Sequence, residues 1–120
     1  MDEVFDALKL SPGEKKMLRY LMKHEQGTSL EIQKEASIQQ PEVSMAVKAL
    51  IKRKYVKSEL ITLTTKSNRQ MMVYSLTKDV YKLMAEDLNA VVTDLLSKSD
   101  FYASLIEELV AMKNNKEKTE

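Results

Sequence analysis

Residues 37–58 read SIQQPEVSMAVKALIKRKYVKS. The stretch opens with polar residues, places Pro41 where it suits the first turn of a helix, and ends in a cluster of cations. Four apolar side chains recur at helical spacing, at Val43, Val47, Leu50 and Ile51. The pattern predicts a helix over residues 41–54 with one face directed to a core. The opposite face could be an ordinary solvated surface or a binding surface, and only the flanking sequence can decide between these.

Helical signals precede this stretch. A short helix is predicted from Asp2 to Leu8, and Ser11 with Glu14 forms a capping box that opens a helix to about residue 25. Gly27 is predicted to end that helix in the left-handed conformation. A second capping box follows at Thr28 and opens a helix to about residue 36, with Leu30 and Ile32 expected to face inward.

The periodicity changes after the basic cluster. YVKSELITLT (55–64) and QMMVYSLT (70–77) are rich in β-branched and aromatic residues, and the polar segment TKSNR separates them. This pattern predicts a β-hairpin. Its tip would carry three polar or basic side chains, those of Lys66, Asn68 and Arg69.

Helical spacing returns at residue 78 and persists to about residue 114. Thr77 is expected to cap this helix, and SKSD at 97–100 is a candidate break. Residues 115–120 are expected to form a flexible tail. The predicted fold class is therefore mainly α with a small β-hairpin (α+β). The predicted regions are 1–77, 78–114 and 115–120.

Composition excludes several kinds of site. The chain has 120 residues, no cysteine and one histidine, His24, which we expect at the surface or near a helix end. Disulfides, thiolate metal sites and thiol redox sensing are excluded, and we expect no metal and no cofactor. No nucleophile–base pair or glycine-rich phosphate loop indicates an enzyme. No apolar run nears the ~20 residues of a membrane span, and the acidic N-terminus differs from a secretory signal, so we expect a cytoplasmic protein.

Charge is distributed unevenly along a chain of net charge +1. Residues 1–77 hold 13 basic and 9 acidic residues, whereas residues 78–120 hold 6 basic and 9 acidic residues. Residues 44–69 hold seven basic residues against one acid, Glu59. Lysine-rich helix ends are common because cations complement the helix dipole. Here, however, one basic window contains both the 41–54 helix and the hairpin tip, which favours nucleic acid as the partner.

The order of elements is four helices, a hairpin and a long helix. With LSPGEKKMLRYLMKHEQGTSLEIQKEASIQQPEVSMAVKALIKRKYV (10–56) and the hairpin, the chain resembles winged helix-turn-helix transcriptional regulators of the MarR, ArsR and TrmB type, especially small archaeal ones. The resemblance covers roughly residues 10–77. Two positions depart from the family pattern. Met45 stands where arginine usually follows the serine of the recognition helix, and Tyr55 stands where glycine usually makes the exit turn.

The resemblance implies that helix 41–54 lies in the major groove of double-stranded DNA and that the wing, residues 59–76, lies on the flanking backbone or minor groove. The implied base-proximal residues are Gln39, Gln40, Ser44, Met45 and Lys48. Four basic residues would lie near phosphates: Lys52, Arg53, Lys54 and Lys57. At the wing tip, Lys66, Asn68 and Arg69 could reach a neighbouring groove or the backbone. Met45 weakens any expectation of guanine recognition at that position.

The long helix predicts a homodimer, because about 35 residues of helix span ~50 Å and part of its apolar stripe needs another partner. The expected interface residues are Val4, Phe5, Leu8, Leu88, Val91, Val92, Leu95, Leu96, Phe101, Tyr102, Leu105, Ile106 and Leu109. Two recognition helices would then lie about one DNA turn apart on a palindromic site.

Two other functions fit the same sequence. An architectural chromatin-type protein would bind DNA without selecting a sequence, and a winged-helix interaction module would bind protein instead. A small-molecule effector could bind between the long helix and the core, but no residue points to such a pocket.

Overall fold

The structure, a computed structural model, describes residues 1–63 and 69–119. Its elements are α1 (Asp2–Ala7), α2 (Pro12–His24), β1 (Gln26–Thr28), α3 (Ser29–Ala36), α4 (Gln40–Lys52), β2 (Val56–Leu63), β3 (Arg69–Leu76) and α5 (Val80–Thr119). They form two compact units, Met1–Ala85 (unit 1) and Glu86–Glu120 (unit 2). The expected mainly helical chain with one hairpin and a long C-terminal helix is confirmed.

Both predicted capping boxes are present. The Glu14 backbone N–H donates to Ser11 Oγ at 3.2 Å, and the Ser11 N–H donates to the Glu14 carboxylate at 3.3 Å. The second box joins Thr28 and Glu31 in the same way, at 3.2 and 3.0 Å. Each box satisfies two backbone donors that a helix leaves unpaired, which is why the starts of α2 and α3 could be located from local sequence.

Gly27 does not end α2 as predicted. Glu25 takes the left-handed region instead, with φ 68°, and Gly27 lies in β1, a strand that the sequence analysis missed. The strand pairs with β3 and places Gly27 opposite Tyr74. A Cβ at residue 27 would lie 2.4 Å from Cε1 of Tyr20, a buried ring. Glycine is required here by close packing and not by backbone conformation.

We therefore expect Gly27→Ala to lower the free energy of unfolding by about 1–3 kcal/mol, because the added methyl must displace a packed ring. Urea denaturation followed by circular dichroism measures the change. Gly13→Ala is the matched control, since a Cβ at residue 13 meets nothing closer than 3.7 Å and alanine favours the helix. Equal stability of Gly27→Ala and the unsubstituted protein would contradict the close contact.

The inward face of α4 differs slightly from the prediction. Val43, Ala46 and Leu50 are buried at 0–2% exposure, whereas Val47 is half-buried and Ile51 is 38% exposed. The buried residues of α4 are spaced i, i+3 and i+7, so Ala46 belongs to the core and Ile51 does not. On α3, Ile32 is buried as expected, but Leu30 is 59% exposed.

The exit from α4 is closed by backbone hydrogen bonds. The left-handed residue is Lys54, with φ 67°, and not the residue at position 55. The Tyr55 N–H donates to the Leu50 carbonyl at 3.0 Å, and the Tyr55 ring is fully buried. The departure from glycine at position 55 therefore leaves the exit turn intact, because Tyr55 packs in the core while Lys54 adopts the left-handed conformation.

The three strands form an antiparallel sheet in the order β1–β3–β2. In the hairpin, Val56 faces Leu76 and Leu63 faces Arg69, so the strands pair over their whole length. Two of the predicted tip residues, Lys66 and Asn68, lie outside the described residues. Arg69 begins β3, and only its backbone is described.

α5 is one continuous helix of 40 residues, which corrects three expectations. It begins at Val80, because the Thr77 hydroxyl does not cap it and instead donates to the Lys54 carbonyl at 2.8 Å. It shows no break at 97–100, and it continues through the expected tail to Thr119. Residues 78–120 contain neither glycine nor proline, and serine or aspartate alone costs a helix interior well under ~1 kcal/mol.

α1 is held against α2. Asp2 pairs with Arg19 and Asp6 with Lys15, and the hydrogen bond from Arg19 holds the pKa of the Asp2 carboxyl below its ordinary value. Phe5 is then 0% exposed and Leu8 is 5% exposed within one chain. This corrects their assignment to the dimer interface, because both side chains already belong to the core of unit 1. Val4 is half-buried.

Candidate nucleic-acid interface

The outward face of α4 carries the predicted base-proximal side chains. Met45 is 73% exposed, and Lys48 and Lys52 are exposed on the same side of the helix. Ser44 is half-buried, and Gln39 is exposed and makes no side-chain cap. This helix therefore presents a mixture of apolar, amide and ammonium groups to any partner.

Gln40 is already engaged within the protein. Its Oε1 accepts from the Ser29 hydroxyl at 2.8 Å and also from the Gln33 amide, and its Nε2 donates to Ser44 Oγ at 3.4 Å. These bonds join α3 to the start of α4. Both lone pairs of the carbonyl oxygen are used, so one amide hydrogen remains for another partner. Sequence reasoning missed this role because it depends on residues 7–11 positions away.

Arg53 also has a structural role. Its Nη2 donates to the Leu8 carbonyl at 3.2 Å, and its Cζ lies 5.9 Å from the centroid of the Tyr55 ring. The guanidinium thus links the exit of α4 to the loop after α1. No local pattern could have indicated a contact between residues 45 positions apart.

Unlike Gln40 and Arg53, the lysines on and just after α4 have side chains that are not engaged within the described part of the protein. Lys48, Lys52, Lys54 and Lys57 are exposed. Within residues 1–63 and 69–119, the recorded ion pairs involve other cations: Lys15, Arg19, Lys23, His24 and Lys98. The ammonium groups along α4 and the start of β2 are therefore available to an anionic partner.

The hairpin exposes apolar side chains that the sequence analysis did not single out. Leu60 and Met72 face each other across the strands and are 53% and 40% exposed. Ile61 and Met71 form the next cross-strand pair and are 37% and 39% exposed. Since side chains alternate along a strand, the two pairs lie on opposite faces of the hairpin.

A shallow groove of about 320 Å³ runs between the start of α2 and the outward side of α4. Glu42, Met45 and Ala49 line it on the α4 side, and Ser11 to Glu14 line it on the α2 side. Gly13 lies where the two helices meet, and a Cβ at residue 13 would be 3.7 Å from the Glu42 carbonyl oxygen, an ordinary van der Waals distance. The groove brings the exposed thioether of Met45 beside the first turn of α2.

His24 lies on a different side of unit 1, in the contact between α2 and α3. Its Nε2 is 2.6 Å from the Glu35 carboxylate, and Lys23 is 3.2 Å from the same side chain. The hydrogen bond from His24 and then that from Lys23 lower the pKa of Glu35. Burial raises the pKa of the neighbouring Tyr20. Across the described ranges, no three acidic or imidazole groups converge on a point that could hold a metal ion.

In the parts of the chain that the structure describes, no helix is both long and apolar enough to cross a bilayer. α5 nevertheless exposes much apolar surface in unit 2. Eight of the predicted interface side chains are 39–65% exposed: Val92, Leu95, Leu96, Phe101, Tyr102, Leu105, Ile106 and Leu109. Leu88 and Val91 are half-buried.

No family model matches the sequence, and no curated protein is significantly similar to it. Solved structures do resemble the fold. A possible transcriptional regulator from Methanosarcina mazei Go1 superposes with a TM-score of 0.63 at 13% identity, covering 82% of this chain and 83% of that one. A mutant of MepR from S. aureus bound to an oligodeoxyribonucleotide gives 0.53 at 20% identity, covering 92% and 86%. A mutant of E. coli MarR complexed with operator DNA gives 0.51 at 15% identity, covering 79% and 67%.

The chain has the winged-helix fold of MarR-type regulators. In this fold α3 and α4 form the helix-turn-helix, and the β2–β3 hairpin is the wing. The winged-helix unit brings together Met45, Lys48 and Lys52 on one helix face. Arg53 and Gln40 are instead engaged within the protein, Arg53 with the Leu8 carbonyl and the Gln40 amide with the Ser29 hydroxyl.

Proposed function

We propose that this protein is a sequence-specific, double-stranded-DNA-binding transcriptional regulator that acts as a homodimer. α4 would enter the major groove, and the wing, residues 59–76, would contact the flanking backbone or minor groove. The observation that carries the proposal is the outward face of α4, where Met45, Lys48 and Lys52 are exposed and the two lysines have no carboxylate partner within the described residues. Two structures of similar fold contain DNA, which supports the same partner here.

The structure refines the proposed roles of individual residues. Gln39, Ser44, Met45 and Lys48 remain candidates for base contacts, and Gln40 can contribute only an amide hydrogen to an acceptor on a base or phosphate. Lys52, Lys54 and Lys57 are candidates for phosphate contacts. We assign Arg53 mainly to positioning the end of α4, because its guanidinium is held by the Leu8 carbonyl. The wing residues Lys66, Asn68 and Arg69 stay proposed as contacts to the flanking DNA.

The proposed dimer rests on the apolar face of α5. Eight large apolar side chains between residues 92 and 109 are 39–65% exposed, and a large exposed apolar surface is typical of an interaction site. A second copy of the same helix would cover it by symmetry and would bring a second recognition helix to the DNA. A palindromic binding site is the corresponding expectation.

The decisive experiment is a salt titration of DNA affinity. We expect the logarithm of the association constant to fall linearly with the logarithm of the salt concentration, with a slope of about −0.9 per phosphate contacted. Lys52→Ala should make this slope less steep by about one phosphate contact per protomer. Lys16→Ala is the matched control, because Lys16 is an exposed lysine on α2 in the cleft toward α3. A flat salt response would contradict DNA binding.

Selection from random duplexes distinguishes a regulator from an architectural protein. One enriched inverted repeat supports the regulator, and no enrichment together with a steep salt response supports the architectural protein. The exposed apolar pairs on the wing favour a third function, protein contact. That function would be supported if Lys48→Ala together with Lys52→Ala left any DNA binding unchanged.

A further inference from the structure

The sulfur atoms of this chain are distributed unevenly between core and surface. The sequence contains eight methionines and no cysteine, so thioethers are the only side chains that carry sulfur. Met17 and Met84 are buried at 0% and 2% exposure, and Met22 is half-buried. Met45 is 73% exposed, more than any other large apolar side chain described. A mild oxidant would therefore reach Met45 well before it reached the methionines of the core.

Met45 also lies on the face of α4 that we propose contacts DNA. It projects from the outward side of α4, one turn before Lys48, and lines the open groove beside the start of α2. Methionine is a flexible apolar side chain that suits contact with a thymine methyl group. No carboxylate or amide group is recorded as a partner of its sulfur among the described residues, so the thioether is open to solvent when DNA is absent.

We propose that Met45 is an oxidative modification site, and that its conversion to methionine sulfoxide by a hydroperoxide weakens the binding of DNA to α4. In this reaction the thioether sulfur attacks one peroxide oxygen. A sulfur–oxygen bond forms as the oxygen–oxygen bond breaks, and the second oxygen leaves with a proton as water, or as an alcohol from an organic peroxide. Sulfur is oxidised and the peroxide is reduced, so no further reactant is needed. This inference rests on the proposed function.

The physical effect follows from the polarity of the product. A sulfoxide oxygen is a strong hydrogen-bond acceptor on a side chain that was apolar. Placed against a thymine methyl or a phosphate, the sulfoxide oxygen would be desolvated without a hydrogen-bond donor, which disfavours binding. We therefore expect a loss of affinity of about tenfold, which a methionine sulfoxide reductase supplied with a dithiol reductant would reverse.

The other exposed methionines are weaker candidates. Met71 and Met72 are consecutive residues of β3, so they point to opposite faces of the wing and cannot both meet one DNA surface. They are 39% and 40% exposed, about half as much as the methionine on α4. Met112 lies on α5 in unit 2, near the apolar stripe assigned to the dimer.

The test measures affinity for the selected duplex before and after hydrogen peroxide, with oxidation at each methionine followed by peptide mass spectrometry. Every variant is compared with its own untreated form. We expect the unsubstituted protein to lose about tenfold in affinity when Met45 is oxidised and to regain it after reductase treatment. Met45→Leu has similar volume and cannot be oxidised, so its affinity should be insensitive to peroxide. The triple variant Met71→Leu, Met72→Leu, Met112→Leu is the matched control and should remain sensitive.

Two results would overturn the proposal. The first is full affinity of the unsubstituted protein after complete oxidation at residue 45. The second is a peroxide effect that persists in Met45→Leu or disappears in the triple variant. If Met45→Leu binds DNA too weakly to measure, the triple variant tests the proposal by itself. Met45 is the main exposed internal methionine that this variant retains, so its affinity should still fall on oxidation. If untreated protein binds no duplex, both the proposed function and this inference are refuted. If it binds and its affinity does not change on oxidation, the inference alone is refuted.

Discussion

Replacing Leu95 and Leu105 together by glutamine should convert the protein from a dimer to a monomer and weaken binding to a palindromic duplex by roughly 10²–10⁴-fold. The two side chains belong to unit 2 and are 60% and 39% exposed in the single chain, so neither is buried in a core. In a dimer they would be buried, and each buried leucine contributes about 1.5–3 kcal/mol. Glutamine is a good helix former, so α5 itself should persist.

The loss of affinity would follow from the loss of the second recognition helix. In a dimer, once one recognition helix is bound, the second binds as an intramolecular event at high effective concentration. A monomer retains only the contacts of one half-site. Affinity for a duplex that carries a single half-site should therefore change little, and this comparison separates a dimerisation defect from damage to α4.

Sedimentation equilibrium gives the oligomeric state of the variant. Ser97→Gln together with Ser104→Gln is the matched control, because both serines are exposed and lie on the face of α5 opposite Leu95 and Leu105. A variant with both leucines replaced that still sediments as a dimer would show that the interface lies elsewhere. A monomer that binds the palindrome as tightly as the dimer would refute bivalent binding.

Tyr55→Ala should destabilise the protein by about 3–5 kcal/mol, the cost of removing a large aromatic side chain from a packed core. The Tyr55 ring is 0% exposed, and the Arg53 guanidinium lies over it at 5.9 Å. The backbone at residue 55 joins the end of α4 to the sheet, since its carbonyl accepts from the Thr77 N–H at 2.9 Å. The cavity would therefore form at the junction that orients α4 relative to the wing.

Urea denaturation measures this loss, and two substitutions serve as references. Tyr55→Phe keeps the ring and should cost about 1 kcal/mol, because only the hydroxyl is removed. Tyr81→Ala removes the same side chain from a position that is 60% exposed and should change stability by less than about 0.5 kcal/mol. Similar free energies for Tyr55→Ala and Tyr81→Ala would contradict the buried position of the ring.

The candidate site was only partly accessible to sequence reasoning. The outward positions of Met45 and Lys48 followed from the apolar spacing of α4, because a helix separates its faces by a fixed angle per residue. Arg53 and Gln40 looked like surface groups and proved to be engaged, since their partners come from the end of α1 and from α3. The exposed apolar pairs of the wing were missed because alternation within a strand does not show which face a core covers.

Local sequence by itself determined the capping boxes at Ser11 and Thr28, the helical period of α4, the hairpin and the helical period of the C-terminal segment. Those features depend on residues three or four positions apart, or on strand alternation, so the neighbouring chain carries all the information. Tertiary structure decided the rest. Gly27 had to be small because Tyr20 lies against it, and Phe5 became a core residue because α1 folds onto α2. Such contacts join residues of different helices and strands, and their energies appear only after the chain has folded.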